Sequence, residues 1–181
     1  MAVAEADVDY LRKTIRDIPD FPKRGVVFRD ITPVLADERA FACALGLLTE
    51  YCRSKRPTRI VAIESRGFVF GAPVAASLET GLVLVRKRGK LPGQTVSQSY
   101  QLEYGDDAVE MSHDALNSDD RALVVDDLLA TGGTAHASCL LSQRLGATVL
   151  GVVALVDLAF LPWRERLKGF EVKTFVSYDS A

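Results

Sequence analysis

One stretch restricts this chain more than any other: Leu123-Val-Val-Asp-Asp-Leu-Leu-Ala-Thr-Gly-Gly-Thr134, an apolar run that ends in two acids and then in a pair of glycines. Leu123 to Val125 reads as a buried strand, Asp126 and Asp127 follow without a gap, and Ala130-Thr-Gly-Gly-Thr134 is a small-residue turn that can open a helix. Strand, turn and helix in that order build an open α/β sheet, whose ligands bind at the carboxyl ends of the strands. Backbone N–H groups at a helix start suit phosphate. Adjacent glycines let the backbone approach an anion closely, and the hydroxyls of Thr131 and Thr134 add donors. Carboxylates for sugar hydroxyls beside a cradle for phosphate point to a ribose phosphate. The plainer alternative is a solvated turn with Thr134 as the helix cap, but a cap needs neither the glycine pair nor the acid pair.

The rest of the chain supplies the sheet that this corner requires. Val8, Leu11, Ile15 and Ile18 recur at helical spacing, so an amphipathic helix is expected first, ended by Pro19 and Pro22. Gly25 to Thr32 reads as a strand or an extended loop, and Ala40 to Cys52 as a helix. A strand is expected over Arg59 to Glu64, a helix over Phe68 to Glu79 stopped by Gly81, and a strand over Leu82 to Arg86. The helix Thr134 to Leu145, stopped by Gly146, and the strand Thr148 to Val156 follow, with a last strand somewhere in Phe170 to Tyr178. Strands that are apolar on both faces and alternate with helices predict an α/β fold with a mostly parallel central sheet covered on two sides. Residues 87–115 break the rhythm: Gly89, Pro92 and Gly93 precede the alternating Tyr100, Leu102 and Tyr104, so this stretch reads as an antiparallel hairpin or long loop inserted between parallel strands, a lid.

Composition narrows the function classes. At 181 residues the chain suffices for one domain, and a net charge of −2 supplies no global basic field, so neither bulk nucleic-acid nor membrane-surface binding is expected. Cys43, Cys52 and Cys139 form no Cys-x-x-Cys pair and His113 and His136 are far apart, which predicts reduced thiols and no zinc site. The first residues lack the charged and apolar regions of a signal peptide, and Ala147 to Val156 is too short to span a bilayer, so a cytoplasmic location is expected.

Two basic segments fall just beyond expected strands. They are Ser65-Arg66-Gly67 and Arg86-Lys87-Arg88-Gly89-Lys90, the latter with four cations in five residues. Cations placed there can stabilise a leaving anion, arginine through bidentate contacts; the alternative for the second segment is a solvated loop.

The corner is similar to the phosphoribosyl-pyrophosphate (PRPP) motif of the type I phosphoribosyltransferases. Phe21-Pro22, Gly25-Val-Val-Phe-Arg-Asp30, Ser65-Arg-Gly-Phe68, Arg86-Lys-Arg-Gly-Lys-Leu-Pro-Gly93 and Tyr100-x-Leu-Glu-Tyr-Gly105 resemble the adenine-using group within that family. The resemblance implies the family's fold, with a small hood over about residues 1–35, a core over about 36–181 and a mobile lid over about 88–115 in a single domain. It implies transfer of the phosphoribosyl group of PRPP to N9 of adenine, giving AMP and pyrophosphate in purine salvage, with magnesium as cofactor and a homodimer as the assembly. It assigns Arg66, Arg86, Lys87, Lys90, Tyr104, Asp126, Asp127 and Ala130 to Thr134 to PRPP. Glu103, Arg66, Asp126 and Asp127 are expected to be catalytic, Glu103 handling the proton at the purine on a lid that Tyr104 helps to close, with Glu64 a helper behind them. Val27, Phe28 and Arg29 are expected to hold adenine, Phe28 by stacking and Val27 and Arg29 through the backbone. Magnesium is expected to be held mainly by substrate, with contact to Asp126 or Asp127 through water.

Three other functions use the same residues less completely. A phosphoribosyltransferase for another purine would keep the corner and change Val27 to Arg29. A PRPP-binding regulator without catalysis would have no use for Glu103, and a phospho-receiver domain none for the glycine pair.

Overall fold

The structure, a computed structural model, describes residues 2–101 and 106–180. The chain begins with α1 (Ala2–Thr14), β1 (Arg16–Pro19), β2 (Val27–Asp30), α2 (Thr32–Ala36) and α3 (Glu38–Lys55). It continues through β3 (Arg59–Ile63), α4 (Arg66–Ser77), β4 (Gly81–Lys87), β5 (Thr95–Gln101) and β6 (Asp106–Ser112). It closes with β7 (Arg121–Leu129), α5 (Gly133–Arg144), β8 (Thr148–Leu158), α6 (Trp163–Arg166), β9 (Val172–Lys173) and β10 (Val176–Tyr178). No helix among the described residues is long and apolar enough to cross a membrane.

The main sheet has the order β10-β8-β7-β3-β4-β6-β5, with β9 also on β8. The strands from β10 to β4 run parallel, while β6 joins β4 and β5 joins β6 antiparallel. Side chains alternate between the two faces of a strand, and this alternation divides the interior in two. Ile60, Leu123, Val125, Val153 and Leu155 face α1, α3 and α4, whereas Val61, Ile63, Val124, Val152 and Ala154 face α5, α6 and the β5–β6 hairpin. Both faces are thus buried, which is why these strands are written almost wholly in aliphatic residues. β1 and β2 form a separate two-stranded sheet, with Ile18 opposite Phe28.

Several boundaries differ from the expected ones. α1 stops at Thr14, before either proline, because Arg16 to Pro19 pair with β2; Ile18 therefore continues the helical spacing but lies in a strand. Gly81 does not stop α4, which ends at Ser77; it opens β4 opposite Arg59, and a Cβ there would lie 2.9 Å from Arg59 Cδ. β7 runs on through the acid pair to Leu129, since Leu128 and Leu129 still pair with Val156 and Asp157 of β8. The segment Phe170 to Tyr178 holds two short strands on β8.

After β3 the chain moves to one side of it, into β4; after the hairpin it returns to the other side as β7. The crevice at such a reversal of strand order is where open α/β sheets bind ligands, and here it lies between the carboxyl ends of β3 and β7.

Candidate functional site

Ile63 to Arg66 from the end of β3 and Asp126, Asp127, Leu128, Ala130 and Thr134 from β7 and its turn line one open cleft in that crevice. A smaller hollow lined by the turn itself, Leu128 to Ala135 together with Asp126, adjoins it through shared walls. The Glu64–Ser65 peptide is cis. Arg66 opens α4, and its Nε lies 2.8 Å from Asp127 Oδ2, an ion pair between a part-exposed guanidinium and a buried carboxylate.

Because β7 stays in the sheet through the acids, Asp126 and Asp127 project from a rigid element, and Asp126 Oδ1 accepts a hydrogen bond from the Asp127 amide at 3.0 Å. Burial pushes the Asp126 carboxyl well above the usual carboxylate range, and the neighbouring Asp127 pushes it further. Burial also raises Asp127, with Arg66 opposing the shift. The pair takes up its second negative charge reluctantly, so a positive centre placed before it is strongly favoured.

The turn after β7 is built for close approach. Gly132 has φ +76°, and a Cβ on it would lie 3.1 Å from Trp163 Cβ. α5 makes its first backbone bond from His136 N to Gly132 O, so the amides of Gly133, Thr134 and Ala135 have no acceptor within the helix. Gly132, without a side-chain cap bond, occupies the cap position; Thr134 therefore is not the cap that the plainer reading requires. Tyr100 from the hairpin leans on the same turn, and a Cβ on Gly133 would lie 2.8 Å from its ring.

The basic loop is organised by one acid. Glu64 Oε1 accepts from Arg86 Nη2 at 2.7 Å and its Oε2 from the Lys87 amide at 2.9 Å, while Arg86 Nη1 donates to the Lys90 carbonyl at 2.7 Å. The Arg86 hydrogen bond holds Glu64 below the usual carboxylate range. Arg86 is thus bound up in shaping the loop, and Lys87, Arg88 and Lys90 are the cations it leaves exposed. Lys87 Nζ is 3.4 Å from Asp107 Oδ2, which also accepts from the Tyr100 hydroxyl at 3.1 Å.

Phe28 reaches the site from the two-stranded sheet: Arg66 Cζ lies 5.4 Å from the centre of its ring, and Phe21 packs edge-on against it at 5.2 Å. Neighbouring Arg29 points elsewhere, towards Tyr178 and Ser180. Glu103 and Tyr104 lie outside the described residues. Most of the expected set therefore meets in one crevice, with Arg86 in a supporting position. Sequence reasoning missed Asp107 and Tyr178. Asp107 reads in the sequence as one of two acids of a Gly-Asp-Asp turn, although it lies in β6, and a lone tail tyrosine carries no pattern; only the fold gives either one a partner.

A parallel sheet with this crevice, a phosphate-type turn and an inserted hairpin defines a class, the phosphoribosyl transferase domain, whose family model matches residues 35–169. A curated relative from Kosmotoga olearia, an adenine phosphoribosyltransferase, is 48% identical over 93% of this chain and 99% of its own. The crystal structure of adenine phosphoribosyltransferase from Thermoanaerobacter pseudethanolicus has a TM-score of 0.92 at 44% identity, covering 94% of this chain and 99% of that one. The Saccharomyces cerevisiae enzyme, solved with adenine and an imino-altritol bisphosphate, has a TM-score of 0.90 at 32% identity over 95% of this chain and 99% of its own. The chain belongs to the adenine phosphoribosyltransferase family.

Proposed function

We infer that the protein transfers the phosphoribosyl group of PRPP to N9 of adenine, releasing AMP and pyrophosphate, as a step of purine salvage. The observation that carries this reading is the placement of the buried acid pair and the open amides of α5 on one strand-to-helix corner, with Phe28 and Arg66 facing it across the crevice. The 5-phosphate binds the amides and hydroxyls of Ala130 to Thr134, and the ribose diol hydrogen-bonds to Asp126 and Asp127. Displacement at C1 passes through a cation-like sugar, and two carboxylates that share charge reluctantly in a buried place are suited to stabilise it. Arg66, Lys87 and Lys90 take the charge that develops on the departing pyrophosphate, with Arg86 and Glu64 holding the lysines' loop in place.

Adenine stacks on Phe28, and the backbone of Val27 and Arg29 pairs with its exocyclic amine and ring nitrogen. A 6-oxo purine presents reversed polarity there, a mismatch worth about 10⁴-fold when buried groups are left unpaired. Glu103 accepts the N9 proton, and Tyr104 helps to exclude water, which would otherwise hydrolyse the activated sugar.

No group of three or more potential metal ligands occurs among the described residues, and the two acids of the corner are hard oxygen donors of the kind that suits magnesium. Asp126 and Asp127 would hold the ion with the substrate's oxygens, in part through water, and the ion would supply charge neutralisation at the pyrophosphate. The exposed apolar side chains Val69, Leu82 and Leu84 on α4 and β4 support a homodimer. The location we assign is cytoplasmic.

Incubation with PRPP, magnesium and adenine, hypoxanthine or guanine in turn tests the function. AMP and pyrophosphate should form, with adenine preferred by about 10⁴-fold. Product from another base at a similar rate would move the assignment to a different purine, and PRPP binding without pyrophosphate release would leave a regulator.

A further inference from the structure

The segment expected to read the base sits on a sheet that, among the described residues, shares no strand pairing with the sheet holding the acids. Something must set the distance between the two. Alternation along β2 sends Phe28 towards Arg66 and sends Arg29 the opposite way. There the Arg29 guanidinium lies over the Tyr178 ring, 4.1 Å from its centre, and Nη2 donates to the Ser180 carbonyl at 3.0 Å. Its Nη1 pairs with Asp17 Oδ2 of β1 at 2.5 Å, and the side chain is only 8% exposed. The tail is itself fastened to the main sheet, with Tyr178 in parallel register with Leu158 of β8 and Ala159 N donating to Tyr178 O at 2.8 Å. A second tie runs from Arg12 Nη1 to the Ser177 carbonyl at 2.7 Å.

We propose that the tail residues 177–180 form a latch that sets where Val27 to Arg29 stand over the crevice, with Tyr178 as its central positioning residue and base affinity as the property it controls. The Arg29 side chain belongs to the latch and not to the substrate; only its backbone faces the base. The proposal rests on the assignment of Val27 to Arg29 to adenine. It makes the tail a determinant of adenine affinity while leaving the PRPP half of the crevice, built from the ends of β3 and β7 and the first turns of α4 and α5, untouched.

The test is a split between two Michaelis constants, measured first in the wild type, whose failure to use adenine would overturn the base assignment and the latch with it. In Tyr178→Ala the KM for adenine should rise about tenfold, the loss expected when a desolvated cation–π contact is removed. The KM for PRPP should stay within about twofold, and Tyr178→Phe, which keeps the ring, should restore the adenine value. An unchanged adenine KM in folded Tyr178→Ala, or an equal rise in both constants, would overturn the latch. Should that variant not fold, deletion of Ser180 and Ala181 decides the matter, since it removes one bond to Arg29 without touching β10. An adenine KM raised about threefold with PRPP unaffected supports the proposal, and no change in either overturns it.

Discussion

Gly67 lies in the first turn of α4 against the end of β7, and replacing it with alanine probes the corner without changing any polar group. A Cβ there would lie 2.8 Å from Asp126 Oδ1, 3.0 Å from the Val125 carbonyl oxygen and 3.2 Å from Asp126 Cα. Two of these atoms are backbone, so the neighbour cannot swing aside; the helix and the acid must separate by several tenths of an ångström. Alanine gains about 1 kcal/mol of helix propensity, and overpacking costs about 1–3 kcal/mol, so the net loss is about 0–2 kcal/mol. For a chain of this size that lowers Tm by at most about 8 °C. Catalysis should suffer more, because misplacing a reacting group by about 1 Å costs roughly 100-fold; kcat/KM should fall about 10- to 100-fold. Gly71→Ala is the control, on the same face one turn further along, where a Cβ would lie 2.5 Å from Ala62 Cβ. It should lose at least as much Tm and keep kcat within about threefold, since it presses on the body of β3 and not on an acid. Initial rates of AMP formation and thermal melts on both variants decide. Wild-type kcat/KM in Gly67→Ala, or equal activity loss per degree in the two, would refute the claim that the close approach of α4 fixes Asp126.

Burial beside Asp127 raises Asp126, so the folded protein holds that proton to higher pH than the unfolded chain, and the stability linked to this group falls as pH rises from about 4 through the folded value. Asp126→Asn should therefore raise Tm at pH 7.5 and change it little near pH 3.5, while the double variant with Asp127→Asn loses about 100-fold or more in kcat; near wild-type turnover in the folded double variant contradicts the assigned role. Glu103→Gln should lower kcat about 10²- to 10⁴-fold with a much smaller rise in the KM for adenine, and an unchanged kcat would remove Glu103 from the mechanism. Chelation with EDTA should stop turnover yet leave Tm unchanged, because no cage of described residues holds an ion; a melt that shifts with chelator would point to a resident metal instead.

Much of this arrangement is legible in the sequence because hydrophobic periodicity and turn chemistry agree there. β3, β7 and β8 carry continuous aliphatic runs, and the glycine pair punctuates the step from β7 into α5. Legibility fails where non-local pairing overrides local pattern. Ile18 keeps helical spacing with α1 but is captured by Phe28 across a strand pair, and Asp126 and Asp127 resemble a strand's end although β8 carries the ladder past them. Arg86 reads as one more cation in a basic cluster; its bond to Glu64 appears only when β3 and β4 lie side by side. The exposed cations Lys87, Arg88 and Lys90, by contrast, need no partner to be recognised from spacing alone.

The bonds that tie Arg12 to Ser177 and Arg29 to Ser180 join positions 165 and 151 residues apart. During synthesis at about 5–20 residues per second, the early segment waits roughly 10 to 30 s for its partners to leave the ribosome. In that interval β3, α4 and β4 can already associate and Phe28 can meet Arg66, whereas Arg29 still lacks Tyr178 and Ser180. Under the latch proposed above, competence to recognise a nucleobase is completed late in the birth of each molecule, after much of the scaffold for the sugar phosphate has had time to form.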